Sequence, residues 1–149
     1  WKSRNWKLRL YGAGKDQKYI EELIQFYELT NKVTIEGHIN DIRKLWAENQ
    51  LLLLPSIAEG KPLALEEAMF CGRAAVVTDV AGNTELIKDG KTGFVIDAPV
   101  LKLIDQALEQ AWEHRKNWEQ MGEHAHKWAV RNIDPSPEDK LVTLLLDAH

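Results

Sequence analysis

The sequence predicts an α/β protein, a parallel sheet flanked by helices that gives way to a helical carboxy-terminal tail. Three observations carry this. Five short apolar runs, Trp6–Tyr11, Val33–Glu36, Leu51–Leu54, Ala74–Thr78 and Gly93–Ile96, alternate with stretches of helical periodicity, as strand–helix–strand units do. Leu51–Leu54 and Ala74–Thr78 do not alternate with polar residues, which predicts strands buried on both faces of a sheet. Beyond about residue 98 only the helical period remains. A single domain over residues 1–149 is expected, an α/β core to about 98 and a helical segment from about 99 to 149.

Composition narrows the function. The 149 residues, 44% of them hydrophobic, suffice for one sizeable core and leave little for a second. A net charge of −4 argues against broad nucleic-acid binding, which needs a basic stripe to displace counterions. The single cysteine, Cys71, excludes an internal disulfide, and no His/Cys cluster has zinc spacing, so a cytoplasmic, reducing location is expected. No run approaches the roughly 18 apolar residues of a membrane span, and the amino end lacks a signal-peptide pattern. The chain starts at Trp1 rather than methionine and enters a strand almost at once, which leads us to expect a piece of something longer.

Taken in order, Trp6–Tyr11 feeds a glycine turn at Gly12-Ala13-Gly14, and Ile20, Leu23, Ile24 and Tyr27 form the apolar stripe of the helix that follows. A lone G-x-G is by itself only a strand-to-helix turn. Val33–Glu36 ends at Gly37, after which Asp41 caps a helix to about Glu48 that buries Ile42, Leu45 and Trp46. Ala81-Gly82-Asn83 leads from the fourth strand into a short helix, and Asp89-Gly90 turns into the last strand. In the tail, Leu101, Ile104, Leu108 and Ala111 make one stripe, and Trp118, Met121, Ala125, Trp128 and Ala129 another. Trp112, Trp118 and Trp128 at helical spacing read as core rather than as a sugar-stacking platform. After Asp134-Pro135-Ser136-Pro137, residues Glu138 to Ala148 resume a helical pattern. In a parallel sheet, ligands sit beyond the carboxyl ends of the strands, where Gly12, His38, Glu59 and Gly82 all fall.

The stretch richest in chemistry is S-I-A-E-G-K-P-L-A-L-E-E-A-M-F-C-G, Ser56 to Gly72. A buried strand, a glycine loop and a helix start with Pro62 in its first turn together form an anion seat, because unpaired amides and the helix dipole face outward there. Glu59 and Glu67 frame it, with seven residues between them. Glu67 falls four residues from both Leu63 and Cys71 in an apolar helix, so it is the less solvated acid; Glu66, one step round, is the better candidate for simple exposure.

Glutamate, seven residues, glutamate, then A-M-x-x-G and V-V-T-D-x-x-G-x-x-E-L-I-x-D-G-x-x-G-F, resembles the donor-binding half of group-1 (family 4) retaining glycosyltransferases over about Leu8 to Asp97. The resemblance implies a Rossmann-like domain, the carboxy-terminal half of a GT-B enzyme, in which a missing amino-terminal domain is the partner and a nucleoside-diphosphate sugar the donor substrate. It implies Glu59 as the catalytic-centre carboxylate bonding donor-sugar hydroxyls. Gly60, Lys61, Pro62, Leu63 and Gly12 would hold sugar or diphosphate, and Glu67 the two ribose hydroxyls, which one carboxylate can chelate. His38 and Ile39 would lie beside the base. No metal or cofactor is expected: the family needs none, and the chain has no D-x-D. Where many members read G-x-P-V-V-A-T this chain has Ala74 for proline, which predicts a looser turn. The arginine and lysine that neutralise the diphosphate in the family would precede Trp1, so the isolated chain is expected to transfer no sugar. Two other readings stay open, a non-catalytic Rossmann-like docking module and half of another GT-B-like enzyme such as a nucleotide-sugar epimerase.

Overall fold

The computed structural model describes residues 1–60, 62–80 and 82–134; the helical pattern at 138–148 lies outside the described residues. Eleven strands and α-helices follow in order among them: β1 (Leu8–Tyr11), α1 (Gln17–Phe26), β2 (Val33–Gly37), α2 (Ile42–Glu48), β3 (Leu51–Leu54), α3 (Leu63–Phe70), β4 (Ala74–Thr78), α4 (Asn83–Leu86), β5 (Gly93–Ile96), α5 (Leu101–Glu113) and α6 (Trp118–Asn132), the last two joined by a 3-10 turn at Arg115–Asn117. Every strand pair is parallel, in two ladders, β1–β2 and β3–β4–β5. This is the expected Rossmann-like alternation. The described residues group into two compact units, Trp1–Leu45 and the chain from Trp46 onward. No helix among the described residues is long and apolar enough to cross a membrane.

In the first unit, β1 and β2 pair from Leu8↔Val33 to Leu10↔Ile35, then shift register so that Tyr11 meets Gly37. The residues ahead of β1 are held by two hydrogen bonds to their carbonyls: Trp6 Nε1 donates to the Trp1 carbonyl at 2.8 Å, and Lys32 Nζ donates to the Arg4 carbonyl at 2.7 Å. The stripe on α1 is half-buried at Ile20, Leu23 and Ile24, but Tyr27 falls past the helix end and stays exposed. The helix closes in a Schellman turn, with Leu29 N–H donating to the Ile24 carbonyl and Glu28 N–H to that of Gln25. Glu28 therefore takes the left-handed position at φ +58°, where glycine is the strain-free residue. Asp41 caps α2 as expected, its Oδ1 accepting the Lys44 N–H at 3.0 Å.

The second unit is built on β4, whose five residues are all buried. Successive side chains of a strand point to opposite faces, and both faces here are apolar. Ala75 and Val77 join Leu65, Met69, Ile87, Ala125 and Ala129 on one side; Ala74 and Val76 join Phe94, Ile96, Ala107, Ala111 and Met121 on the other. Trp128 packs against the first cluster and Trp118 against the second, with Trp118 Nε1 donating to the Ala111 carbonyl, so these two serve the core. Two expectations are corrected. The leucines of β3 are half-buried, because β3 is an outer strand of its ladder and the central place belongs to β4. Leu101 is 87% exposed at the first position of α5, and the helix instead packs through Leu103, Ile104, Ala107 and Ala111.

Backbone packs on backbone at two glycines. A Cβ on Gly122, inside α6, would collide with the carbonyl of Gly72, and one on Gly93 would collide with the backbone of Ala75 across the β4–β5 pair. Gly72 itself, at φ +68°, closes α3 in a second Schellman turn, with Arg73 N–H donating to the Ala68 carbonyl at 2.8 Å. Arg73 Nε donates in turn to the Trp46 carbonyl at 2.8 Å. The turn before β4, expected to be loose for want of a proline, is thus tied at both its backbone and its side chain.

Gly122→Ala should lower the unfolding free energy by about 2–3 kcal/mol, as overpacking against immovable backbone does. Gly60→Ala, where a Cβ meets open space, should stay within about 0.5 kcal/mol of the parent. Urea denaturation of the pair separates the two. Glu28→Gly should raise stability by about 0.5 kcal/mol, the relief of left-handed strain less the added entropy of an unfolded glycine; its exposed pair with Lys2 has little to lose.

Candidate functional site

Pro55 ends the β3 ladder, whose last pair is Leu54↔Val77, and the chain enters the loop that carries the first acid. Ser56 has left the ladder, and its carbonyl is satisfied by the buried Thr78 hydroxyl at 2.6 Å. The Ser56 hydroxyl donates to Glu59 Oε1 at 2.5 Å, fixing one carboxylate oxygen. Glu59 is half-buried. Gly60 beside it is exposed, with a backbone that any residue could adopt and open space where a Cβ would stand. Lys61 lies outside the described residues.

Pro62 is buried and stands at the N-cap of α3 with φ −80°, one place before the first helical residue rather than inside the first turn. Its carbonyl accepts from the amides of Leu65 and Glu66 at 2.9 and 3.1 Å. No side chain caps the helix, so the N–H groups of Leu63 and Ala64 have no partner among the described residues. The local sequence explains this: proline has neither a side-chain oxygen nor an N–H with which to close the end. Leu63, 56% exposed, stands beside these open amides.

Glu67 is half-buried on α3 between the core positions Leu65, Ala68 and Met69. Desolvation by burial raises its pKa above the ordinary 4.5, and no side-chain partner among the described residues offsets this. Glu66, expected to be the exposed neighbour, is half-buried as well.

The remaining predicted residues lie in the first unit. Gly12 follows β1 at φ +115°, a conformation that requires glycine, and its N–H donates to the Gly37 carbonyl at 2.7 Å. His38 is exposed and Ile39 half-buried, just past the end of β2. Glu59, Gly60, Pro62, Leu63 and Glu67 are thus gathered on one turn and its helix, while Gly12, His38 and Ile39 follow the carboxyl ends of the other ladder. Sequence reasoning missed Ser56, Thr78 and Asn83. Asn83 is fully buried in the first turn of α4, its Nδ2 donating to the Thr78 carbonyl at 3.0 Å and its Oδ1 without a partner among the described residues. The available signals were a serine three residues before the acid and a lone hydroxyl ending an apolar strand.

Comparison with known proteins then connects this arrangement to a family. The sequence profile of "Glycosyl transferases group 1" matches residues 2–128. The chain is 30% identical over 128 residues to the exopolysaccharide phosphotransferase SCO2592 of Streptomyces coelicolor, covering 85% of this chain and 14% of that protein. It is 32% identical over 122 residues to N-acetyl-alpha-D-glucosaminyl L-malate synthase of Bacillus anthracis, covering 81% and 32%. The chain therefore spans less than a third of either relative. Anabaena HepE, solved in complex with UDP, superposes with a TM-score of 0.81 at 23% identity over 97% of this chain and 41% of that one, a likeness that speaks to the fold. With a family profile running over nearly all of the described residues, on a Rossmann-like fold of the kind the resemblance implied, the chain belongs to the group 1 glycosyl transferases.

Proposed function

We propose that this chain is the donor-binding part of an enzyme that transfers a sugar from a nucleoside-diphosphate sugar to an acceptor, with retention and without a metal. The observation that carries the reading is the β3–α3 turn, where two acids seven residues apart flank a helix start whose first amides are open. In the transfer, the bond from the anomeric carbon to the diphosphate breaks and the electron pair leaves on phosphate oxygen. The amides of Leu63 and Ala64, with the dipole of α3 behind them, suit that growing charge. Lys61 is the cation nearest in sequence. Gly60 and Gly12 admit the close approach of phosphate or sugar, and buried Pro62 holds the helix start.

Glu59 has one oxygen fixed by Ser56 and the other available to donor-sugar hydroxyls near the reacting carbon. Glu67 accepts both ribose hydroxyls, and His38 and Ile39 lie against the base. Metal-independent transfer is what the family resemblance implies. UDP is the first nucleotide to test because HepE was solved with it. The phosphotransferase activity in the name of the Streptomyces relative is not carried over, since this chain covers 14% of that protein. Acceptor binding belongs to a second domain that this chain does not contain, so the chain alone transfers no sugar.

Calorimetric titration of the full-length protein with UDP, GDP and ADP should show binding of one of them, with UDP first in order. Glu67→Ala should weaken it by at least about 10-fold, since each hydrogen bond lost to a charged group costs ~1.5–3 kcal/mol. Unchanged affinity in the variant removes Glu67 from the ribose role, and transfer activity lost to EDTA removes the metal-free reading.

The same acid should cost stability. A carboxyl whose folded pKa lies above its unfolded 4.5 favours the fold fully only below that pH, and the contribution is lost as pH rises through the folded value. Glu67→Gln should therefore melt higher than the parent at neutral pH, by a margin that solvent screening keeps small and that closes below the unfolded pKa. Paired melting curves across the carboxyl range test it.

A further inference from the structure

Three hydrogen bonds run in series from the β4–α4 turn to the first acid. Asn83 Nδ2 donates to the Thr78 carbonyl at 3.0 Å, Thr78 Oγ1 donates to the Ser56 carbonyl at 2.6 Å, and Ser56 Oγ donates to Glu59 Oε1 at 2.5 Å. Asn83 and Thr78 are fully buried, and Thr78 is the last residue of the strand on which the unit is built. From this series we propose that Ser56 is a positioning residue for Glu59, held in register by Thr78 and Asn83, so that the end of β4 sets the direction of the carboxylate. The inference rests on the reading of Glu59 as the sugar-facing acid.

Each link has its own physical reason. A glutamate on a loop has three free torsions, and a carboxylate left to rotate offers its lone pairs in no fixed direction. One hydroxyl donor on Oε1 removes most of that freedom and leaves Oε2 to accept from a ligand. Ser56 can do this only if its own backbone is fixed, yet it lies past the last ladder pair, where no strand partner remains for its carbonyl. The Thr78 hydroxyl supplies that partner from the rigid side. Asn83 braces the Thr78 carbonyl in turn, and its amide cannot flip without setting two carbonyl oxygens against each other. Its Oδ1 is fully buried with no partner among the described residues.

A merely structural Ser56 would close its loop without acting on the ligand. The test therefore reads how much the sugar adds to affinity. UDP, GDP and ADP, each alone and as its glucose conjugate, are titrated into the full-length protein, and the nucleotide that binds is kept. Ser56→Ala should lower the ratio of nucleotide Kd to nucleotide-glucose Kd by about three- to tenfold, the scale of one lost side-chain hydrogen bond, while leaving the Kd for the nucleotide alone within about twofold. Ser56→Thr, which keeps the hydroxyl, should restore the ratio. Thr78→Val should reproduce the Ser56→Ala result, and Ser56→Ala should change nothing further in a Glu59→Ala background, where no side-chain acceptor remains.

A ratio unchanged in Ser56→Ala but lost in Glu59→Gln overturns the positioning role and leaves the donor-site reading standing. A ratio unchanged in both, or no nucleotide bound at all, overturns the donor-site reading and the inference with it. Should Thr78→Val fail to fold, the Ser56 pair decides alone. A crystal structure of Ser56→Ala in which the Glu59 carboxylate keeps its place overturns the inference whatever the ligand.

Discussion

The second unit depends on one constraint: β4 must be dry on both faces. Its five residues are small or β-branched, and both faces are covered by helices, α3 with the later part of α6 on one side and α5 with the start of α6 on the other. A strand covered in this way has no freedom to slip in register, since a shift of one residue would exchange its two faces. Its last residue, Thr78, is therefore a fixed point, and the loop carrying Glu59 is referenced to it. Stability and site geometry in this unit thus share a single anchor.

Close backbone approach reinforces that anchor. The left-handed turn at Gly72 ends α3 and presents a carbonyl against which Gly122 of α6 is seated, while Gly93 lets β5 lie against Ala75. The glycine of the A-M-x-x-G stretch is thereby explained without reference to a ligand: it caps a helix with φ positive and allows another helix to touch the cap. Gly60 is the opposite case, since the protein neither fills the space beside it nor demands its conformation.

The turn between β3 and α3 combines features that a stability argument alone would disfavour. Its helix start lacks a side-chain cap, and its second acid is half-buried without a compensating partner among the described residues. Local costs of this kind are tolerated where the groups involved serve a ligand. The same turn carries the paired acids by which the family resemblance was recognised, so the chemical and the energetic peculiarities coincide on one stretch of chain.

Much of this was legible in the residues themselves. Element type and order follow from periodicity over short windows, and Ala74–Thr78 and Gly93–Ile96 were bounded as found because their composition changes abruptly at both ends. The spacing of Glu59 and Glu67 and the glycine between them were equally local signals. What remained hidden depended on distances between segments far apart in the chain. Only the ladder order shows that β3 is an outer strand with half-buried leucines, and only packing leaves Leu101 exposed and Glu66 half-buried. Gly122 in a helix and Asn83 in a turn look unremarkable until their neighbours arrive from 50 residues earlier in the first case and from a strand end in the second. Sequence by itself determined which elements form and where the paired acids fall along them, since both are set by interactions within a few residues. Tertiary structure alone decided what holds Glu59 in direction, because a hydrogen bond between Thr78 and Ser56 exists only once two separate strands lie side by side.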